Sequence, residues 1–239
     1  NRATVHLKFR QYQAALEDTN QALAHCQPAI RLLAPRGGDY PYAAHVYAQR
    51  ALAYGGLRNY QAALENARKA VDLAPVYGPN FFSLGQIYLA TNALAQARQA
   101  FQQGFDADSK DVSNAVLLAW TRMCDTLSFN VEEAFFLSEA AQNYPESEWG
   151  HLSLGMAAWL REDYDTSLAY LSQARQRDVM NPHCYFWLGM CHASREEDDL
   201  ARSALQQAAQ SGLASLLFLP AKYFEMKKSA FYQFTLYFR

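Results

Sequence analysis

The chain has 239 residues, with 21 basic and 23 acidic side chains, and 51% of its residues are hydrophobic. A chain so close to neutral has no global basic field to hold a phosphate backbone, so nucleic acid is not an expected partner. The apolar content excludes a disordered protein, and no apolar run approaches the roughly 18 residues that span a bilayer, so a membrane partner is not expected either.

The first 43 residues contain one incomplete helical pattern and an insertion. Large and small residues alternate at helical spacing before residue 29: Tyr12, Ala15, Leu16, Thr19 and Ala22. They predict that residues 1–29 hold the end of one helix followed by a second helix. Residues 30–43 include two prolines and two glycines, and we expect them to extend that second helix and then form a loop.

The stretch from residue 78 to residue 111 shows the same pattern in full. Phe81, Leu84 and Tyr88 fall at i, i+3 and i+7, which places them on one face of a first helix. A second helix follows, with small residues at Ala97 and Gly104. Since small residues let two helices approach closely, the stretch predicts a helical hairpin.

The hairpin pattern recurs with a period of about 34 residues. Besides residues 78–111, it occupies residues 44–77, 148–181 and 182–215. Residues 112–147 hold a weaker copy that needs about three additional residues between its helices to restore the phase. A repeated hairpin of this length predicts a stacked array in which each copy covers the apolar face of its neighbour.

These copies resemble the tetratricopeptide repeat family, which is marked by a bulky residue, a Leu-Gly pair, a Tyr and a series of small residues. The Leu-Gly pairs are Leu84-Gly85, Leu154-Gly155 and Leu188-Gly189. The resemblance covers residues 1–215. It implies an all-α fold, a right-handed superhelical solenoid of about six helix-turn-helix repeats. Arg50, His151, His192 and Ser167 depart from the signature, and we expect looser or hydrogen-bonded packing around them.

In this family the first helices line an inner, concave wall through the second, fifth, ninth and twelfth residues of each repeat. By that register the resemblance assigns ten residues to a partner-binding groove: Phe82, Gln86, Leu89, Trp149, Leu152, Met156, Trp159, His183, Phe186 and Met190. Trp120 falls in the weaker copy, where core and groove both remain open. Aromatic and Met side chains supply contact energy at interfaces, so the expected partner is a protein or peptide segment with apolar anchors.

Some members of this family bind the acidic C-terminal tails of chaperones through Lys and Asn on the same wall. The corresponding positions of the second and third repeats are Gln49, Leu52, Phe82, Ser83 and Gln86, and none of them is basic. We therefore expect no carboxylate clamp, and a partner held by apolar contacts and amide hydrogen bonds.

Cys184 and Cys191 lie near His183 and His192, but two turns of helix separate the thiols by roughly 10 Å, too far to share one Zn²⁺. The sequence contains no nucleophile elbow, HExxH helix or glycine-rich phosphate loop. We predict no metal, no cofactor and no enzymatic activity. Four cysteines in a chain of this length are too few for a disulfide framework and favour a reducing, cytoplasmic compartment.

Residues 216–239 do not continue the period and contain eight aromatic side chains. After Pro220 a short helix over 221–228 is predicted, and beyond it an alternating pattern favours a strand. So many aromatic side chains need a cover. The last repeat, the apolar groove of this or a neighbouring molecule, and a further domain are all open, and the second of these includes self-association. Contact with a membrane surface ranks last.

Together these observations predict a non-catalytic protein–protein interaction scaffold that binds a partner segment in an apolar, aromatic concave groove. The alternative is a regulatory or assembly domain of a larger protein, whose chemistry would lie in other sequence. Fold-level resemblance indicates that the chain binds protein and does not identify the partner.

Overall fold

The computed structural model describes residues 2–33, 41–126 and 129–210. These residues form twelve α-helices and no strand: α1 (Arg2–Lys8), α2 (Tyr12–Leu33), α3 (Pro41–Gly56), α4 (Tyr60–Leu73), α5 (Gly78–Ala90), α6 (Leu94–Ala107), α7 (Val112–Thr126), α8 (Val131–Ala141), α9 (Glu148–Leu160), α10 (Tyr164–Arg177), α11 (Pro182–Ser194) and α12 (Asp198–Ala208). The all-α prediction is confirmed. None of the described helices is both long and apolar enough to cross a membrane.

Two compact units divide the chain, Asn1–Asn114 and Ala115–Arg239. In the first unit α1 pairs with α2, α3 with α4 and α5 with α6, and the second helix of each hairpin packs on the first helix of the next. In the second unit α9 pairs with α10 and α11 with α12, while α8 packs on α9 and α10 on α11. Each hairpin therefore covers its neighbour within the unit.

Helix α2 continues to Leu33, as expected for an extended second helix ahead of the predicted loop. Residues 34–40 of that loop lie outside the described part of the chain, and so does the whole aromatic segment 216–239. The weaker copy, residues 112–147, is two residues longer than the period. Leu118 and Leu154 occupy equivalent positions in successive copies and are 36 positions apart instead of 34.

Side-chain caps start six of the described helices. At the start of α7, Asp111 Oδ1 accepts hydrogen bonds from the backbone N–H groups of Ser113 and Asn114. Asn59, Asn130, Ser147, Asp163 and Asn181 each accept a hydrogen bond from a backbone N–H in the first turn of the following helix. Such a cap contributes about 1 kcal/mol to helix stability. These residues fix where α4, α7, α8, α9, α10 and α11 begin.

A residue with left-handed backbone geometry occurs in the turn of each of five hairpins, with φ between 58° and 63°: Arg10, Arg58, Asn92, Glu162 and Glu196. Four of them are neither glycine nor asparagine, although the left-handed region costs such residues roughly 1–2 kcal/mol. The pairs Arg58 and Asn92, and Glu162 and Glu196, are each one period apart. The turn geometry therefore follows from hairpin packing more than from the residue at the turn.

In the hairpins of the second unit, a glycine of the first helix packs directly against a side chain of the second helix. A Cβ on Gly155 would lie 2.7 Å from Leu171 Cδ2, and a Cβ on Gly189 would lie 2.6 Å from Leu205 Cγ. Leu171 and Leu205 are buried, so neither side chain has space to move away. Glycine is required here by the close approach of the partner side chain and not by its backbone angles.

The hairpins of the first unit have the same contact between their two helices, but the two residues that meet differ in size. In the hairpin of α5 and α6, a Cβ on Gly85 would meet the ring of Phe101. In the hairpin of α3 and α4 the equivalent residues are Ala51 and Ala67, which are both fully buried. A slightly larger residue on the first helix is thus matched by a small one on the second.

The departures from the family signature are hydrogen-bonded, which confirms one of the two expected outcomes. Arg50 Nε donates to Asn66 Oδ1 at 2.7 Å and Arg50 Nη1 donates to Asn20 Oδ1 at 3.2 Å, so the guanidinium joins three helices. Ser167 Oγ donates to the backbone oxygen of Gly155 at 2.9 Å. These bonds replace the apolar contacts that the usual Leu and Ala would make.

We predict that Gly155→Ala lowers the free energy of unfolding by about 1–3 kcal/mol, because the new methyl group overlaps the buried Leu171 side chain. In the double variant Gly155→Ala/Leu171→Ala the overlap is absent, so the two losses should not add. Urea unfolding of the wild type, both single variants and the double variant measures this coupling. Strictly additive losses would contradict the contact.

Candidate functional site

The predicted groove residues of the first unit, Phe82, Gln86 and Leu89, lie on α5, and the same register positions on α3 hold His45 and Leu52. We call His45, Leu52, Phe82, Gln86 and Leu89 the first wall. All except the buried Leu89 are partly exposed. Burial lowers the pKa of His45, so its imidazole is neutral at pH 7. The first wall is therefore an uncharged, mainly apolar surface with one amide at Gln86.

The second unit holds the other predicted groove residues on α9 and α11. Together with Trp120 of α7 we call them the second wall: Trp120, Trp149, Leu152, Met156, Trp159, His183, Phe186 and Met190. The structure corrects the expectation of an open groove here, since every member except Trp149 is at most 4% exposed. Trp149 is partly exposed.

Ring contacts explain why the second wall is closed. The ring centroids of Trp120 and His183 are 4.6 Å apart, with the planes at 87°, and those of Trp120 and Phe186 are 5.5 Å apart. Trp149 lies 5.9 Å from His183. Separations of about 4.5–7 Å are favourable for aromatic pairs. Side chains from α7, α9 and α11 therefore meet one another and fill the space between these helices.

Trp187 extends the same cluster and was not predicted. Its ring centroid lies 5.3 Å from that of Trp159 and 5.4 Å from that of Phe186. Trp159 Nε1 donates to Ser194 Oγ at 3.2 Å, which ties α9 to α11. Trp187 follows Phe186 directly but lies outside the four register positions, so the only signal in the sequence was the adjacent aromatic pair.

Two polar atoms inside the second wall are buried and have no hydrogen-bond partner among the described residues: Trp120 Nε1 and His183 Nδ1. Burial lowers the pKa of His183 to about 3, so this imidazole is neutral at physiological pH. A buried polar atom left unpaired costs about 1–3 kcal/mol. The second wall is therefore apolar by residue type but has an unmet hydrogen-bonding capacity at the contact between α7 and α11.

The cysteines next to the second wall do not form a reactive site. Cys184 and Cys191 are free thiols with no exposed surface. Burial raises the pKa of both thiols, that of Cys191 to about 11, and Cys191 Sγ donates to the backbone oxygen of Tyr164 at 3.3 Å. Since the thiolate is the nucleophile and metal ligand, both remain inert at neutral pH. In the described residues no group of three or more His, Cys, Asp or Glu side chains is placed to hold a metal.

Comparison with known protein families gives matches over more than half of the sequence. Sequence models described as tetratricopeptide repeat match residues 44–77 and 79–111 in the first unit and residues 152–214 in the second. A search of curated protein sequences gave no significant match.

Solved structures of tetratricopeptide repeat proteins have the same fold. The Cut9–Hcn1 hetero-tetramer of the APC/C aligns with a TM-score of 0.61 and 14% identity, covering 99% of this chain and 44% of that chain. The thermophilic protein TTC0263 of Thermus thermophilus aligns with a TM-score of 0.53 and 18% identity, covering 77% and 98%. A tetratricopeptide repeat protein of Parabacteroides merdae aligns with a TM-score of 0.51 and 15% identity, covering 91% and 81%. This chain thus spans less than half of the Cut9–Hcn1 chain.

We predict that Phe186→Ala lowers the free energy of unfolding of the second unit by about 3–5 kcal/mol, because it removes a fully buried ring. All four tryptophans lie in this unit, so tryptophan fluorescence during urea unfolding follows it selectively. The matched control is Phe135→Ala on α8, where the side chain is 67% exposed. A loss for Phe186→Ala no larger than that of the control would contradict the closed wall.

His183 should make the second unit sensitive to acid. Its pKa is near 3 in the folded chain and about 6.5 when unfolded, so between these values only the unfolded state binds the proton. Lowering the pH from 6.5 to 5 therefore destabilises the unit by about 2 kcal/mol. Urea unfolding at both pH values measures the change, and His183→Phe should remove most of it. Equal pH dependence in the wild type and in His183→Phe would rule out this assignment.

Proposed function

The chain belongs to the tetratricopeptide repeat family, and we propose that it is a non-catalytic scaffold that binds a segment of a partner protein on the inner walls of its repeats. The family matches and the similar solved structures support a protein–protein interaction scaffold. The identity of the partner does not follow from them, because likeness at this level of sequence identity concerns the fold.

The first wall is the principal binding surface in this proposal, because all of its side chains except Leu89 remain partly exposed. Phe82 offers an aromatic face, and its ring centroid lies 6.4 Å from that of Phe101, which is itself fully buried. Gln86, one turn further along α5, can both donate to and accept from the backbone of a bound segment. An apolar anchor on Phe82, beside an amide contact to Gln86, fits an extended or helical peptide.

In the second unit we propose that Trp149 makes the direct contact. It is the partly exposed member of the second wall, and the His183 ring packs against it at 5.9 Å. Five buried side chains support Trp149 and do not contact the partner themselves, since they form the layer that holds the rings in place: Leu152, Met156, Trp159, Phe186 and Met190. A large aromatic residue supported by rigid neighbours is the usual form of an interface hot spot.

The proposed partner segment is apolar and does not depend on a terminal carboxylate, because the clamp positions Gln49, Leu52, Phe82, Ser83 and Gln86 carry no positive charge. Nucleic acid is excluded from the proposal by the net charge of −2. A reducing, cytoplasmic compartment is part of the proposal and is supported by the four free, buried cysteines.

A second candidate function is regulation or assembly within a larger protein. It is supported by the alignment in which 99% of this chain corresponds to 44% of a longer chain from the Cut9–Hcn1 complex. The full coding sequence separates the two candidates, since an additional catalytic domain would support the second.

We predict that Phe82→Ala and Trp149→Ala each weaken partner binding by about 2 kcal/mol, or about 30-fold in Kd, because each removes an aromatic anchor. Partners are first isolated with the wild type and with the double variant Phe82→Ala/Trp149→Ala, and identified by mass spectrometry. Kd is then measured by calorimetry for each protein that only the wild type retains.

Phe135→Ala serves as the matched control, since it removes an exposed aromatic side chain that belongs to neither wall. Its partners and their Kd values should equal those of the wild type. Partners that bind the double variant as tightly as the wild type would contradict the proposed walls.

A further inference from the structure

The turns that join the two helices of a hairpin carry opposite charges in the two units. In the first unit, residues 9–13 and 57–61 contain two basic residues and no acidic residue, and the equivalent residues 91–95 are uncharged. In the second unit, the equivalent residues 161–165 and 195–199 contain seven acidic and two basic residues. We call residues 9–13 and 57–61 the basic edge, and residues 161–165 and 195–199 the acidic edge.

The two turns of the basic edge lie side by side. A Cβ on Gly56 would meet the ring of Tyr12, so the end of α3 lies against the start of α2. Phe9 is 60% exposed and Leu57 is 42% exposed, and each directly precedes the arginine of its turn. The basic edge is therefore a surface that combines exposed apolar side chains with positive charge.

The two turns of the acidic edge are also adjacent, because Arg195 joins them. Its guanidinium donates to Asp165 of one turn and, through Nε at 2.8 Å, to Glu197 of the other. Arg161 Nη2 donates to Ser138 Oγ at 2.9 Å. Both arginines of the acidic edge are thus engaged within their own unit.

Exposed carboxylates make up most of the remaining charge on the acidic edge. Glu196, Asp198 and Asp199 are exposed, and Leu200 beside them on α12 is 54% exposed. The acidic edge therefore complements the basic edge in charge and also offers an apolar side chain. Complementary charges steer two surfaces together and fix how they pair.

We propose that copies of this chain bind one another, with the basic edge of one copy against the acidic edge of the next. Residues 1–114 have a net charge of +3 and residues 115–210 a net charge of −8, so the wider charge of each unit favours the same pairing. Arginine and carboxylate form strong, often bidentate hydrogen bonds. The inference goes beyond the proposed function, because the two edges belong to neither wall.

Self-association has a consequence for partner binding. Joined copies present more than one first wall, so a partner with two apolar segments binds its second segment at an effective concentration set by the distance between the walls. Such avidity can exceed the affinity of one wall by about 10²–10⁴-fold. The assembled protein would therefore select partners with repeated apolar segments.

Exchanging the charges of two equivalent turn residues tests the proposal on the full chain. Arg58 and Glu196 occupy the same turn position, with φ of 61° and 63°. Arg58→Glu and Glu196→Arg therefore each introduce a side chain that the fold already accepts at that position. Sedimentation equilibrium measures the Kd of self-association for the wild type, for each variant and for an equimolar mixture of the two variants. Circular dichroism checks that the helix content is unchanged.

We expect the wild type to self-associate at about 0.1 M NaCl and less at about 1 M NaCl, because the Debye length falls from about 10 Å to about 3 Å. Each variant alone should have a Kd about tenfold higher than the wild type, because like charges then face each other. The equimolar mixture should recover the wild-type Kd, since the new glutamate of one copy faces the new arginine of the other.

The matched controls are Lys69→Glu on α4 and Glu139→Arg on α8, two exposed positions outside both edges with the same changes in net charge. Both should self-associate like the wild type. Three results would each overturn the proposal: a wild type that stays monomeric up to about 1 mM, turn variants that associate as tightly as the controls, and a mixture no tighter than either variant alone. The binding assay with Phe82→Ala concerns the first wall, so either proposal can fail while the other stands.

Discussion

One contact recurs in four hairpins of the described chain, between a small residue on the first helix and a buried residue sixteen positions later. Gly155 against Leu171 and Gly189 against Leu205 are the tightest examples in the second unit. At each of these contacts a side chain of the second helix packs directly against the backbone of the first helix, so the two helices lie close together. Successive first helices then lie close enough for their inner side chains to meet.

The size of the inner side chains then decides whether a wall is open or closed. The first wall presents one aromatic ring, Phe82, beside shorter side chains, and it stays partly exposed. The second wall has aromatic rings on three consecutive first helices, and contacts such as that between Trp120 and Phe186 seal it. One repeat architecture thus provides an accessible surface in one unit and an aromatic interior in the other.

The fold could be predicted from the sequence because a helical period and a Leu-Gly pair are local signals. The burial of Phe186 and Met190 could not, since periodicity gives the face of a helix and not its distance to the rings on other helices. The positive φ at Glu162 and Glu196 could not be predicted either, because glutamate does not favour left-handed backbone geometry. Partner binding by the predicted groove residues remains a proposal.

Hydroxyl-radical footprinting read by mass spectrometry tests whether ring packing closes the second wall while the first wall remains accessible. Methionine oxidises readily when exposed, and Met180 is a partly exposed reference in the same unit as Met156 and Met190. We expect Met156 and Met190 to be protected relative to Met180, and Phe82 of the first wall to be labelled. Oxidation of Met156 and Met190 at the rate of Met180 would contradict a closed second wall.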